Sequence, residues 1–346
     1  MIKILHSGDW HLDAPLLFSD VSQRERLRQE LSAVPQKIAA LCKAHHCDLL
    51  LLSGDLFDGA YALDTLQNLK NALQAVEIPV FITPGNHDFV GADSPWLTES
   101  FSQNVHIFTH PAIESVAVPH LDCRIYGAGF TAMDCPGLLA DFTLQQEETY
   151  AIGVLHGDPT QVSSPYNPIT KEQVKGSGFD YLALGHIHKG DSFRAGKTLC
   201  AWPGCPMGHG YDETGEKGVL LVTIDNTATA EFIPLDTPRF YDLEVPAEAG
   251  LDSVLPPVGN EDFYRITLTG PSEIVDLAAL QADYAHFPNL VLRDHTTPPL
   301  DIWGSENEDT LEGMYFQMLK AQGTELATLS AKISRTLLNG QEVVLP

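Results

Sequence analysis

Two pairs of potential metal ligands lie in the first 190 residues of this 346-residue chain, and the members of each pair are two positions apart. Asp9 and His11 follow the first predicted strand, and His186 and His188 follow a later one. Because residues two apart in an extended chain point to the same side, each pair is expected to form a natural set of ligands. A D-x-H match arises about once by chance in a chain with this many histidines, so a surface turn remains an alternative for the first pair alone.

Three further motifs place metal-binding groups at the ends of predicted strands. Asp55 lies in G-D-x-x-D after the second strand, Asn86 and His87 lie in G-N-H-D after the third, and His156 ends a fourth. A carboxylate at the end of a buried strand can bridge two cations, and an amide carbonyl is a hard oxygen ligand. His87 is expected to project differently from Asn86 and to face a substrate. His156 alone fits a structural histidine better, but five motifs at strand ends, in one order, favour a metal site.

The predicted strands and helices explain how these motifs come together. Strands are predicted at residues 2–6, 48–53, 78–83, 151–155, 181–184, 217–224 and 229–234, with short strands between 105 and 126. A capping box at Ser22 and Glu25 opens a helix that Pro35 is expected to kink. Apolar residues from Leu66 to Val76 have the spacing of a second helix. This pattern predicts an α/β fold, an αββα sandwich of two stacked mixed β-sheets flanked by helices.

The character of the sequence changes near residue 235, which predicts two domains. Residues 1–235 are expected to form the catalytic domain. Residues 236–346 are expected to form a small α+β capping domain that binds substrate or a partner. Its predicted strands are 264–268 and 290–293, and its predicted helices are 272–284, 309–322 and 325–338.

Composition narrows the class of protein without selecting a substrate. No apolar stretch approaches the ~20 residues that a membrane span needs, and the N-terminus lacks the features of a signal peptide. Six scattered cysteines are better read as free thiols than as disulfides, so a cytoplasmic location is expected. The net charge is −26, and Lys70 is the only basic residue between Tyr61 and Cys123. Nucleic-acid binders usually show a basic footprint, but bound cations would reverse the local field, so a DNA enzyme and another acidic enzyme both stay open.

The ordered set D-x-H, G-D-x-x-D, G-N-H-D, H and G-H-x-H resembles that of the calcineurin-like metallophosphoesterases. This resemblance implies a site for two divalent metal ions. One ion is held by Asp9, His11, Asp55 and His188. Asp55 also bridges to the second ion, whose other ligands are Asn86, His156 and His186. Mixed nitrogen and oxygen ligands suit Mn²⁺, Fe²⁺ or Zn²⁺, and the nuclease branch of the family favours manganese.

The resemblance also implies a mechanism. Two cations ~4 Å apart lower the pKa of a bridging water and clamp the phosphoryl oxygens, so that the bridging hydroxide attacks in line. His87 is expected to stabilise the developing charge and to protonate the leaving oxygen. Asp58 is expected to orient His87, as the corresponding aspartate does in several branches of the family; a loop-capping carboxylate is the alternative.

Three segments, residues 6–15, 203–208 and 213–218, are similar to SbcD-like DNA repair nucleases and, among these, to the YhaO group. The similarity implies a DNA exonuclease that works with an SMC-like ATPase of the SbcC or YhaN type and tends to form homodimers. Two features depart from the pattern. His209 stands where a basic residue is expected near the cleft, so no phosphate contact is assigned there, and the C-terminal part is short for the group.

Three alternatives therefore remain from the sequence. The first is a manganese-dependent DNA nuclease, the second a phosphoesterase acting on nucleotides, cyclic nucleotides or another small phosphoester, and the third a metal-free scaffold with the same fold. The apolar helical stretches at residues 311–319 and 326–337 fit either an ATPase-docking element or the core of the cap.

Overall fold

The computed structural model describes residues 1–18, 20–140, 142, 144, 148–272, 275–340 and 343. These residues form two compact units, Met1–Tyr241 and Asp242–Pro346. The strands of the first unit are β1 (Ile2–Ser7), β2 (Leu49–Leu52), β3 (Val80–Ile82), β4 (Val105–Ile107), β5 (Glu114–Val118), β6 (Cys123–Gly127), β7 (Tyr150–His156), β8 (Tyr181–Gly185), β9 (Lys189–Ala195), β10 (Thr198–Gly204), β11 (Gly218–Asp225) and β12 (Thr227–Pro234). Its helices are α1 (Val21–Ser32), α2 (Val34–Ala44), α3 (Leu63–Val76), α4 (Pro95–Thr98) and α5 (Lys171–Ser177).

The first unit contains two six-stranded mixed sheets. One has the strand order β12-β11-β1-β2-β3-β4, and the other β5-β6-β7-β8-β10-β9. A single hydrophobic cluster takes side chains from both sheets, among them Ile4, Leu51, Val154 and Ala183. The two sheets therefore pack face to face, as the αββα prediction requires.

Parallel pairing brings the ends of the important strands to one edge. In the first sheet β1, β2 and β3 are parallel neighbours, and in the second β7 and β8 are. The loops that leave these strands carry all five predicted motifs. The carboxyl edge of a parallel sheet is where α/β proteins place their sites.

Several local predictions were wrong in detail. The cap of α1 is Asp20, whose carboxylate accepts from the backbone N–H of Ser22 and Gln23, so the predicted capping box does not form. Pro35 does not kink one helix but lies in the first turn of α2, where its missing N–H costs nothing. The sequence patterns also missed α5 and the β9–β10 hairpin, whose β9 strand is mostly exposed.

The second unit is built on a three-stranded sheet with the order β13-β14-β15. Its strands are β13 (Phe240–Pro246), β14 (Phe263–Thr269) and β15 (Leu290–Asp294), and its helices are α6 (Leu277–Asp283), α7 (Leu311–Gln322) and α8 (Glu325–Leu338). The predicted helix 272–284 is shorter in the structure, and its residues 273 and 274 lie outside the described ranges. Across the described part of the chain, no helix is long and apolar enough to cross a membrane.

Candidate metal centre

The five motifs converge on two groups of potential metal ligands. Ligand atoms of Asp9, His11 and His188 lie within 4.8 Å of one another, and so do those of Asp55, His156 and His186. Each group combines residues from both sheets, because its members lie at the ends of strands of the first and the second sheet or in the loops that follow them. The two histidines of G-H-x-H thus belong to different groups, His188 to the first and His186 to the second.

The first group contains two imidazoles whose free nitrogens face each other. His11 Nδ1 donates to Asp58 Oδ1 at 3.0 Å, and His188 Nδ1 donates to Glu213 Oε1. In the neutral form of each ring Nε2 is therefore the unprotonated nitrogen, and the two Nε2 atoms are 3.0 Å apart. Two lone pairs at this distance repel each other unless a proton or a metal ion lies between them, so the geometry fits a cation that both rings bind.

The second group has the same character. His156 Nδ1 donates to the carbonyl oxygen of Ser53 at 2.9 Å, so Nε2 is the nitrogen that a metal ion can bind once the ring is neutral. This Nε2 lies 3.3 Å from Asp55 Oδ2 and 2.9 Å from Asn86 Oδ1. Asn86 Oδ1 is also 3.1 Å from His186 Nδ1. Acceptor atoms from several side chains again surround one point, as the ligands of a divalent cation do.

Asp55 lies between the two groups. Its Oδ2 is 3.3 Å from His156 Nε2 in the second group and 3.8 Å from His11 Nε2 in the first. Its Oδ1 accepts from the backbone N–H of His87 at 2.9 Å. A carboxylate in this position could contribute oxygens to both groups.

The backbone at the site is unusual for residues that are not glycine. Asp9, His11 and Asp55 have φ of 54°, 46° and 51°, and His186 has φ of 102°. Asp9 and His11 are therefore not in an extended chain, and the geometric reason given for their pairing was wrong although the pairing itself is observed. Backbone strain of this kind costs about 1–3 kcal/mol per residue and is concentrated at functional sites.

Glycine is required where the loops approach most closely. A Cβ on Gly85 would lie 2.2 Å from Asp55 Oδ1 and 2.8 Å from His156 Cε1. Gly54 has φ of 95°, and a Cβ there would lie 2.5 Å from His156 Nδ1. The glycines of G-D-x-x-D and G-N-H-D thus make room for the ligand side chains.

The electrostatics of the site also fit bound cations. Burial lowers the pKa of His156, but the Asp55 carboxylate outweighs this effect and raises the pKa to about 9. Burial also lowers the pKa of His11 and of His188. Hydrogen bonds to Asp58 and to Glu213 outweigh this effect, so both pKa values are raised. The pKa of His186 is lowered by burial and by His156. Buried carboxylates that hold protons on neighbouring imidazoles form a site where a metal ion can replace those protons.

His87 contacts Asp58 and forms, with Asp58 and His11, a further group whose potential ligand atoms lie within 4.8 Å of one another. Its Nδ1 is 2.8 Å from Asp58 Oδ1, and 44% of its side chain is exposed. The same Asp58 oxygen accepts from His11 Nδ1. The structure thus places His87 at the open side of the site with one carboxylate orienting both rings.

Sequence reasoning gave no role to two residues that support the site, Glu213 and Asp88. Glu213 holds His188, and it also accepts from His209. Asp88, the last residue of G-N-H-D, accepts from the backbone N–H groups of Gly85 and Leu56 at 2.7 and 2.8 Å and so ties the two motif loops together. Burial and the Asp55 carboxylate raise the pKa of Asp88 to about 7. Only Asp88 had a local signal, its place inside a motif.

Comparison with known proteins agrees with this geometry. The family described as calcineurin-like phosphoesterase matches residues 2–190. Over 240 residues, 65% of this chain and 58% of the relative, the chain is 31% identical to "Uncharacterized metallophosphoesterase YhaO" of Bacillus subtilis (strain 168). It is 21% identical over 365 residues to the SbcD component of the SbcCD nuclease of Staphylococcus epidermidis, with 92% of this chain and 93% of the relative covered. The corresponding SbcCD nuclease component of B. subtilis is 23% identical over 269 residues, 64% of this chain and 66% of the relative. The chain thus spans less than two thirds of the two B. subtilis relatives.

Proposed function

Because this chain belongs to the calcineurin-like phosphoesterase family, we propose that it is a two-metal phosphodiesterase whose substrate is DNA. The observation that supports the proposal most directly is the pair of facing Nε2 atoms of His11 and His188, 3.0 Å apart, beside the shared carboxylate of Asp55. Two neutral imidazoles in this arrangement need a proton or a metal ion between them, and a site where a metal ion can replace that proton suits a metal-dependent hydrolase.

The proposed ligands follow the two groups. Asp9, His11, His188 and Asp55 would hold one divalent ion, and Asp55, Asn86, His156 and His186 would hold the other. When bound, such a metal pair activates water and neutralises phosphoryl oxygens. Manganese is the proposed metal, with iron or zinc as alternatives that the same ligand set accepts.

His87 is the proposed acid for the leaving oxygen, and Asp58 its positioning residue. The 2.8 Å contact between Asp58 Oδ1 and His87 Nδ1 fixes the ring so that Nε2 can carry a proton outward. The exposed fraction of His87 leaves that nitrogen accessible to a substrate. His87 is outside the two proposed ligand sets, although its ligand atom lies within 4.8 Å of those of His11 and Asp58, so we assign it to proton transfer and not to metal binding.

DNA is the proposed substrate because two relatives are named as components of a nuclease and because a second unit of about 100 residues follows the catalytic unit. We expect exonuclease activity in DNA repair and a capping role for the second unit. The net charge of −26 favours the alternative, a phosphoesterase acting on nucleotides, cyclic nucleotides or another small phosphoester.

The proposed partner is an SMC-like ATPase of the SbcC or YhaN type. An apolar groove of about 760 Å³ runs along α7 and α8, and Leu311, Met318 and Leu337 are largely exposed beside it. Exposed apolar patches of this kind favour a protein partner over the alternative that these helices form only the core of a cap. A homodimer and a cytoplasmic location are also proposed, the latter because all six cysteines are free thiols.

A paired assay tests this function. Purified protein with Mn²⁺ is expected to shorten linear duplex DNA from its ends, and His87→Ala, with both metals retained, is expected to lose this activity. Closed circular DNA is the control for cleavage away from ends. If the protein ignores DNA yet hydrolyses bis-p-nitrophenyl phosphate rapidly, the small-phosphoester function replaces the nuclease; if it hydrolyses neither, the phosphodiesterase proposal fails.

A further inference from the structure

Glu213 makes contacts with two histidines through different oxygens. Its Oε1 accepts from Nδ1 of His188, a proposed metal ligand. Its Oε2 lies 3.1 Å from Nδ1 of His209 and accepts from the backbone N–H of the same residue at 2.7 Å. The Glu213 carboxylate thus fixes the orientation of two rings. One belongs to His188, the proposed metal ligand, and the other to His209, four residues before Glu213 in the chain.

His209 lies beside the metal centre. Its ring centre is 5.8 Å from that of His11, with the rings nearly perpendicular. The side chain is 17% exposed, and its Nε2 is buried with no hydrogen-bond partner among the described residues. Buried polar nitrogens without a partner are rare in folded proteins and mark places where a ligand or water belongs.

His11 is thereby flanked by two rings that are each held by a carboxylate. On one side, Asp58 holds His87, whose ring centre is 4.7 Å from that of His11. On the other, Glu213 holds His209. In both cases the carboxylate contacts Nδ1, which leaves Nε2 as the ring nitrogen available to a substrate.

We propose that Glu213 is the positioning residue for His188 and His209, and that His209 Nε2 contacts a phosphate oxygen of the substrate. The proposal deepens the phosphodiesterase function and rests on it. With Nδ1 of His209 held by Glu213, an N–H at the buried, unpartnered Nε2 would be directed as a donor toward an anionic oxygen. It also explains the departure at this position, where a basic residue was expected: a histidine held by Glu213 supplies the contact instead.

Metal titration tests the role of Glu213. Calorimetric titration with Mn²⁺ is expected to show that Glu213→Gln weakens one of the two sites about 10- to 100-fold. His209→Ala is expected to keep both sites. Glu216→Gln, in the same loop, and His120→Ala, an exposed histidine elsewhere, are the matched controls. Unchanged Mn²⁺ affinity in Glu213→Gln would overturn the positioning role, and loss of a site in His209→Ala would make His209 part of the metal site instead.

Phosphate binding tests the role of His209 without relying on turnover. Inorganic phosphate is expected to bind the Mn²⁺-loaded His209→Ala variant roughly 10-fold or more weakly than the unmodified protein, since a hydrogen bond to a charged group is lost. His209→Arg is expected to recover most of this affinity, and with bis-p-nitrophenyl phosphate His209→Ala should raise KM more than it lowers kcat. Equal phosphate affinity in His209→Ala would refute the contact. If the unmodified protein hydrolyses no phosphoester, the proposed function fails, while the two titrations still decide the roles of Glu213 and His209.

Discussion

His11 and His188 turn the same ring nitrogen, Nε2, toward each other at a distance of 3.0 Å. Their other nitrogens are held by Asp58 and Glu213, so the two Nε2 atoms are the ring nitrogens left to share a proton or a metal ion. The fold therefore places two imidazole nitrogens where a bound cation, either a proton or a metal ion, stabilises their contact.

The first prediction concerns stability. Saturation with Mn²⁺ at about 100 times Kd should stabilise the metal-binding unit by about 2.7 kcal/mol per site. For a unit of the size of Met1–Tyr241, this corresponds to a rise in Tm of roughly 5–10 °C per site. Scanning calorimetry with EDTA and with Mn²⁺ measures it, and Ca²⁺, which prefers oxygen ligands, is the control. If the Tm of the first unit is the same with EDTA and with Mn²⁺, the result would argue against the metal site.

The second prediction concerns pH. The pKa values of His11, His156 and His188 are all raised in the metal-free protein, that of His156 to about 9, so protons compete with the metal throughout the neutral range. Mn²⁺ affinity should therefore increase as pH rises from about 6 to 9 and level off above that, with protons released on binding. Calorimetry in buffers of different ionisation enthalpy counts these protons. An affinity that is flat across this range would contradict the prediction.

The third prediction separates His87 from Asp58. His87→Ala should leave two metals bound and lower kcat about 10²- to 10⁴-fold, because it removes a proton donor and no ligand. Asp58→Asn should lower kcat and also weaken Mn²⁺ binding, because Asp58 Oδ1 holds His11 Nδ1 as well as His87 Nδ1. Metal stoichiometry and single-turnover rates distinguish the two. If His87→Ala loses a metal, His87 is a ligand; if Asp58→Asn binds metal normally, its contact with His11 is dispensable.

The fold and the site were predictable to different degrees. Periodic apolar spacing predicted α3 and α8, and the buried side chains of Leu66 and Leu73 lie where that spacing requires. The αββα sandwich could be predicted because each motif strand is short, apolar and followed by a turn, and the structure confirms it. The strand β9 was missed because it lies at a sheet edge and is mostly exposed, so it has no apolar pattern to detect.

The supporting residues of the site were harder to find because their contacts are distant in the chain. Glu213 is 25 residues from His188, and no local spacing predicts that contact. The positive φ of Asp9 and His11 was equally hidden, since such conformations are imposed on non-glycine residues by tertiary packing and not by local preference. The order of the motifs therefore indicated which side chains lie close together. The backbone conformations and supporting contacts that bring them together could be seen only in the folded chain.

The fourth prediction concerns the space beside Asp55. In Gly85→Ala, the added methyl group would lie 2.2 Å from Asp55 Oδ1 and 2.8 Å from His156 Cε1, so the bridging carboxylate or the imidazole must move. We expect Mn²⁺ affinity to fall at least ~10-fold, as it does when groups that orient metal ligands are disturbed. Gly91→Ala, six residues later in the same loop, is the matched control, because its nearest neighbour is a Phe89 ring carbon at 3.6 Å. Equal Mn²⁺ affinity in the two variants would show that Asp55 and His156 tolerate displacement and that the close approach of Gly85 is incidental to metal binding.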